Sequence, residues 1–256
     1  MLKICETLET FNVFKVSCPI FVSVYKTSIT KVVPWEIGEF RMFQVNYLKK
    51  YRHMKEKIIQ KATELFINLG FKSVTMDDIA NEMGISKKTI YAHFSNKTEL
   101  VHKTTMTVFN HITHGIDCIC DLNKNPIEEL YEIKKFVMLQ LKDEKSSPQF
   151  QLQKYYPEVH ATFKEKHFEK MYDCTMKNLQ RGVEQGLYRE NIDIEFVSRI
   201  YFIGVNGIKD ESVFPLQEFP KWQLFEKYLE YHLRGIVTKQ GLITLNKFIK
   251  TTVANA

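Results

Sequence analysis

A chain of 256 residues with 44% hydrophobic content is long enough to bury one large core or two modest ones. Its net charge of +6 is uneven: residues 1–111 carry 16 Lys and Arg against 10 Asp and Glu, and residues 112–256 carry 20 against 20. That distribution suggests a nucleic-acid-binding end on an electrically neutral body.

Nothing in the chain approaches the ~20 apolar residues of a membrane span. The nearest stretch, Phe11 to Tyr25, is interrupted by Lys15 and Pro19. The start MLKICETLET carries two acidic residues and is a poor signal peptide. Cys5, Cys18, Cys118, Cys120 and Cys174 are odd in number and irregularly spaced, which suggests free thiols in a reducing cytoplasm.

Residues 1–53 show no clear helical period. A first helix is expected from about Lys55 to Leu69, with Ile58, Ile59, Ala62, Leu65, Phe66 and Leu69 at helical spacing and Gly70 as the stop. Then comes VTMDDIANEMGISKKTIYAHFSNKTEL, residues 74–100, which reads as two short helices around a tight turn and the start of a third. Thr75 with Asp78 forms a capping box, Ser86 is a second cap, and Asn96 with Glu99 signals a third start. Val74/Ile79 and Ile85/Ile90 stand at hydrophobic-staple positions. Gly84-Ile85-Ser86 is the kind of turn that joins a DNA-binding helix-turn-helix. A small core of Ile79, Ala80, Met83, Ile85, Ile90 and Phe94 should lie under the first helix.

Charge sharpens that reading. Asp77 and Asp78 suit the positive end of their helix, whereas Lys87 and Lys88 oppose it in theirs. A rule kept in one helix and broken in its neighbour points to an external anion such as a phosphate backbone. Two solvated lysines on a surface helix are the plain alternative.

The helix from Asn96 is expected to run through about Thr113 as a strut. Asn125-Pro126 with Glu128 opens a helix to about Lys142, and a short segment follows from Pro148 to Tyr156. Pro157 begins a long amphipathic run ending near Gly186. Asp193 caps the apolar helix EFVSRIYFIGVNGI, and a last long helix is expected from Lys221 to Lys239. The fold class is therefore all-α: a three-helix head over residues 54–111 and a larger helical body over residues 112–256. His111, His114 and Cys118 share a helical face at metal-compatible spacing, but without a fourth partner no metal is assigned. No phosphate-binding glycine loop, nucleophile elbow or zinc-protease motif occurs, so neither an enzyme nor a cofactor is expected.

The segment Ile58–Val101 resembles the DNA-binding domain of the TetR (tetracycline-repressor) family of transcription regulators. The likeness is carried by A-x-x-L-F-x-x-x-G-F (Ala62 to Phe71), T-M-D-D-I-A (Thr75 to Ala80), G-I-S-K-K-T-I-Y-A-H-F (Gly84 to Phe94) and N-K-T-E-L (Asn96 to Leu100). It implies a cytoplasmic, nucleoid-associated homodimer on a two-fold symmetric double-stranded DNA operator. Lys87, Lys88, Thr89, Tyr91 and His93 would face DNA, while Ile90 and Phe94 point inward. Thr75 and Lys97 would touch phosphates. Lys88 stands where the family often has glycine. Family members usually begin near the position of Met54, so residues 1–53 are expected to be a poorly ordered extension or the product of an upstream start codon. The alternative is a groove-reaching arm carrying Lys49, Lys50 and Arg52.

The resemblance also implies a repressor released by a small hydrophobic effector, which would tilt the strut and change the spacing of the two heads. Candidate ligand residues are Phe136, Met138, Tyr156, Phe168, Met171, Tyr172 and Phe202. The expected dimer interface uses Phe196, Ile200, Ile203, Gly204, Gly207, Phe225 and Leu229, with the helix-interior glycines admitting a partner helix. The competing reading is a helical small-molecule receptor or interaction protein that does not bind DNA.

Overall fold

The computed structural model describes residues 38–140, 148–215 and 217–254. Among the described residues the elements are all helical: α1 (Gly38–Leu69), α2 (Met76–Met83), α3 (Lys87–Tyr91), α4 (Lys97–Cys120), α5 (Pro126–Gln140), α6 (Pro148–Tyr155), α7 (Pro157–Glu184), α8 (Ile194–Gly207), α9 (Lys221–Arg234) and α10 (Lys239–Ala254). No helix among them is long and apolar enough to cross a membrane.

α1 starts at Gly38, well before the expected Lys55. Residues 38–53 lack an amphipathic period, but Arg41, Met42, Gln44, Leu48, Lys49 and Lys50 are straight-chain helix formers, so propensity rather than patterning accounts for the helix. The rest of the expected extension, residues 1–37, lies outside the described residues. The chain divides into two units between Lys57 and Ile58, and the features below belong to the second. Its buried stripe on α1 begins at Ile58 and continues through Ala62 and Phe66. Deleting residues 1–53 should therefore leave the head folded, with an unchanged melting temperature and helical circular dichroism. A loss of cooperative unfolding would show that residues 38–53 support it.

The head follows its punctuation. Gly70 ends α1 at φ 86° and Gly84 ends α2 at φ 62°, both in the left-handed region that favours glycine. Thr75 Oγ1 accepts from Asp78 N at 3.1 Å, while the Asp78 carboxylate accepts from Thr75 N at 2.8 Å, closing the capping box. Ser86 caps α3 by accepting from Thr89 N, and Asn96 caps α4 by accepting from Glu99 N. Ile58, Ala62, Phe66, Ile79, Ala80, Ile90, Phe94 and Leu100 are buried together in this head, and Met83 and Ile85 lie half-buried at its edge.

α4 is longer than expected, ending at Cys120, and packs on α5 and α7. The body core gathers Ile127, Leu130, Tyr131, Leu179, Leu187, Tyr188, Leu229, Leu233, Ile236 and Leu245 from α5, α7, α9, α10 and the turns between them. The expected helix from Lys221 to Lys239 is in fact two. α9 stops at Arg234, and Val237 pairs with Tyr188 in an isolated antiparallel bridge. Thr238 then caps α10, its Oγ1 accepting from Gly241 N at 3.1 Å. The break satisfies backbone groups across the body, since Arg189 N donates to Ile236 O and Thr238 N donates to Leu187 O, each at 2.9 Å.

Candidate nucleic-acid interface

α2 and α3 meet at the Gly84–Ser86 turn, and the short α3 presents Lys87, Lys88 and Tyr91 to solvent while burying Ile90. Tyr91 keeps 44% of its surface exposed, so it is not a core residue. Lys88 extends from the same exposed face.

Lys87 differs from the expectation that its charge waits for an external anion. Its Nζ donates to the Asp77 carboxylate at 2.6 Å, and this ion pair, chiefly through that hydrogen bond, raises the lysine's pKa. The acidic first turn of α2 thus supplies the anion within the chain. Both partners are exposed, so a phosphate can compete for Lys87.

Thr75 is exposed, but its hydroxyl is held by Asp78 at 2.8 Å. The two hydrogen bonds from Thr75 keep the Asp78 carboxyl below its usual pKa. Lys97, the first residue of α4, is half-buried beside them; its Nζ donates to Lys72 O at 3.4 Å, and burial lowers its pKa against the pull of Asp78. It is therefore an anchored cation rather than a freely solvated one. Thr89 is half-buried and hydrogen-bonded to the Ser86 hydroxyl at 2.9 Å.

His93 is corrected. It lies past the end of α3, where the chain turns back into the head, and only 9% of it is exposed. It is a buried residue rather than one projecting into a groove. The resemblance implies that His93 faces DNA, whereas α3 ends at Tyr91 with Ala92 as its C-cap.

The head is tied to the body by a contact the sequence did not disclose. Lys72 N donates to Gln151 Oε1 of α6 at 3.2 Å, and Phe71 meets Tyr156 edge-on at 6.2 Å. Tyr156, expected in a ligand pocket, thus packs on the head. The remaining candidates divide. Phe168, Tyr172 and Phe202 do come together, with Phe168 touching both the others and Arg199 lying over the Phe168 and Tyr172 rings. His167 joins this group against Phe202, and burial lowers its pKa to about 4. Phe136 instead packs against the backbone of Gly115, where an added methyl group would overlap its ring. Met138 and Met171 are half-buried. None of the seven lines either of two clefts found, one between the starts of α4 and α7 and the other between α8 and α9.

The second cleft bears on self-association. Phe196, Ile200 and Tyr231 line it, and Ile203 stands exposed on the same helix as the first two. Two expected interface residues are corrected. Leu229 is 2% exposed and belongs to the body core. Gly204 faces Tyr228 of its own chain, whose hydroxyl donates to Ile200 O and Tyr201 O at 3.3 Å, and a methyl group there would overlap that ring. The small residue is explained by an internal contact. Gly204→Leu should accordingly lower thermal stability by displacing Tyr228, and a stable fold with dissociated subunits would reverse this reading. Gly207 has open space around it, and Phe225 is half-buried beneath Lys209. Among the described residues no three His, Cys, Asp or Glu side chains form a metal-binding group, although His114 Nε2 lies 3.9 Å from Cys118 Sγ.

Comparison with known proteins agrees with the head geometry. Residues 58–104 match the family described as bacterial regulatory proteins, tetR family. IcaR of Staphylococcus epidermidis, a negative transcriptional regulator of the biofilm operon icaADBC, is 40% identical over 58 residues. That match spans 23% of this chain and 31% of IcaR. The transcriptional repressor KstR2 of Mycolicibacterium smegmatis is 24% identical over 205 residues, spanning 73% of this chain and 92% of that protein. The crystal structure of a transcriptional regulator from Saccharomonospora viridis in complex with choline shares the fold with a TM-score of 0.60 at 16% identity, covering 73% of this chain and 100% of that one. The helix-turn-helix thus lies in a segment, residues 58–104, that matches the tetR family of bacterial regulatory proteins, and the helical body behind it shares its fold with the Saccharomonospora regulator.

Proposed function

We propose that this chain is a dimeric, cytoplasmic transcriptional repressor, associated with the nucleoid, that binds operator DNA through α2 and α3 and releases it when a small molecule occupies the body. The observation that carries the reading is the capped head with Lys87, Lys88 and Tyr91 exposed on one short helix, inside the segment matched to the family. Phosphate contacts from Thr75 and Lys97 would position the head, and base-edge contacts from α3 would supply sequence preference. KstR2 and IcaR, both repressors by name, support the direction of the response. The aromatic group around Phe168, Tyr172, Phe202 and Arg199 is the proposed wall of the effector site, and the choline held by the Saccharomonospora protein supports a small organic ligand as the class.

A gel-shift assay with the DNA upstream of the protein's own gene, in excess unrelated competitor DNA, tests the reading. A specific complex is expected, and its absence would favour a receptor without DNA binding. Within that assay, Lys88→Ala should weaken binding and reduce the log–log salt slope by about one. Lys87→Ala should have the smaller effect, because Lys87 must first leave Asp77. Equal effects from the two would show that the Asp77 pair does not persist beside DNA.

A further inference from the structure

α4 and α7 run side by side in parallel, and three pairs of residues set their register. Near their starts, Glu99 and Glu158 line one cleft. Further along, Phe109 meets Phe163 edge-on at 5.9 Å. Near the end of α4, Lys170 forms an ion pair with Asp117. Continuing by one turn on each helix leads from Asp117 to Cys120 and from Lys170 to Cys174. The register therefore places these two thiols opposite each other, and they are within hydrogen-bond reach. Both are half-buried free cysteines.

We propose that Cys120 and Cys174 form a dithiol oxidised by hydroperoxides to a disulfide that ties the end of the strut helix α4 to α7.

The surroundings divide the labour between the sulfurs. Cys174 accepts the hydrogen bond from Cys120 and has Lys170 and Lys177 nearby, which together lower its pKa against the effect of burial. Cys120 is driven the other way, first by donating that hydrogen bond and then by burial and the charges of Glu129 and Asp117. Cys174 is thus the attacking thiolate and Cys120 the resolving thiol. In the first step the Cys174 sulfur attacks one peroxide oxygen, the S–O bond forms, the O–O bond breaks, and the hydroxide released takes a proton to become water. In the second step the Cys120 sulfur attacks the sulfenic sulfur. The S–S bond forms, the S–O bond breaks, and hydroxide leaves with the Cys120 proton as a second water. Two thiols lose two electrons, and one hydrogen peroxide becomes two waters. Cys118 lies nearby in sequence, but its sulfur is 3.9 Å from His114 Nε2 on its own helix.

The consequence is mechanical. Leu100 and Val101 at the start of α4 are fully buried in the head, so a covalent tie at Cys120 restrains the helix that leads out of it. The chemistry does not depend on the DNA-binding reading and is tested without DNA.

Reduced full-length protein is treated with hydrogen peroxide, blocked with N-ethylmaleimide and digested with trypsin without reduction. The expected product links the peptide 171–177, holding Cys174, to 104–124, holding Cys118 and Cys120. This species should persist in Cys118→Ser, vanish in Cys120→Ser and revert with dithiothreitol. Cys120→Ser should instead accumulate a dimedone-reactive sulfenic acid on 171–177. Cys174→Ser should slow peroxide-dependent loss of the Cys120 thiol by about tenfold. A link that survives Cys120→Ser but not Cys118→Ser, or no linked peptide in protein with native circular dichroism, overturns the proposal.

Discussion

Replacing Glu129 with alanine is expected to lower the unfolding free energy by about 3–5 kcal/mol, the range for removing one partner of a buried ion pair. Glu129 is 2% exposed on α5, at the centre of a network that joins α5 to α7. Its Oε2 accepts from Arg181 Nη2 at 2.7 Å and its Oε1 accepts from Asn178 Nδ2 at 2.8 Å. Asn178 Nδ2 also donates to Pro126 O at 2.9 Å, and Asn178 Oδ1 accepts from the Tyr188 hydroxyl at 3.1 Å. Alanine would strand a guanidinium and leave the buried Asn178 short of an acceptor. Part of the penalty is relieved because Arg181 retains some access to water, so the lower half of the range is favoured. Glu129→Gln keeps an acceptor for Asn178 and should lose less. Equilibrium urea unfolding measures both, with unchanged m-values expected. A loss below about 1 kcal/mol for alanine would mean that the network contributes no more than an exposed pair.

The sequence singles out none of Glu129, Asn178, Arg181 and Tyr188, and the reason is physical. A charged residue at a helix position says nothing of its burial until the facing helix is known, and Asn178 and Arg181 lie about fifty positions away. Local signals were far more readable. The caps at Thr75, Ser86, Asn96 and Asp193 depend on one to four neighbouring residues, and each makes the hydrogen bond its residue type implies. The same locality explains why α2, the turn into α3 and the start of α4, which are consecutive short-range features, are legible nearly to the residue. The errors fall where a distant contact decides. Gly204 is small because of Tyr228, α9 stops so that Val237 can pair with Tyr188, and Tyr156 turns to Phe71 rather than to a cavity. His93 differs for another reason: the resemblance places it at DNA, while the end of α3 at Tyr91 leaves it buried in the head.

The α8 surface yields the other large effect. Phe196, Ile200 and Ile203 are spaced by four and three residues, so they share a helical face, and all three are exposed in the single chain. A contiguous apolar face of this kind marks an interaction site, and a second copy of this chain is the occupant proposed for it. A two-fold interface uses each residue twice, so one substitution introduces two charges near its centre. If each Ile203→Asp side chain costs about 2 kcal/mol, as an interface hot spot does, the dimer dissociation constant should rise about a thousandfold. Ile203 is 61% exposed, so the monomer's own melting behaviour should change little. Sedimentation velocity should therefore show folded monomers at concentrations where the unmodified chain is dimeric. Operator affinity should fall with it, because each head then binds its half-site without the other. A dimer that persists in both Ile203→Asp and Phe196→Asp would move the interface away from this face of α8.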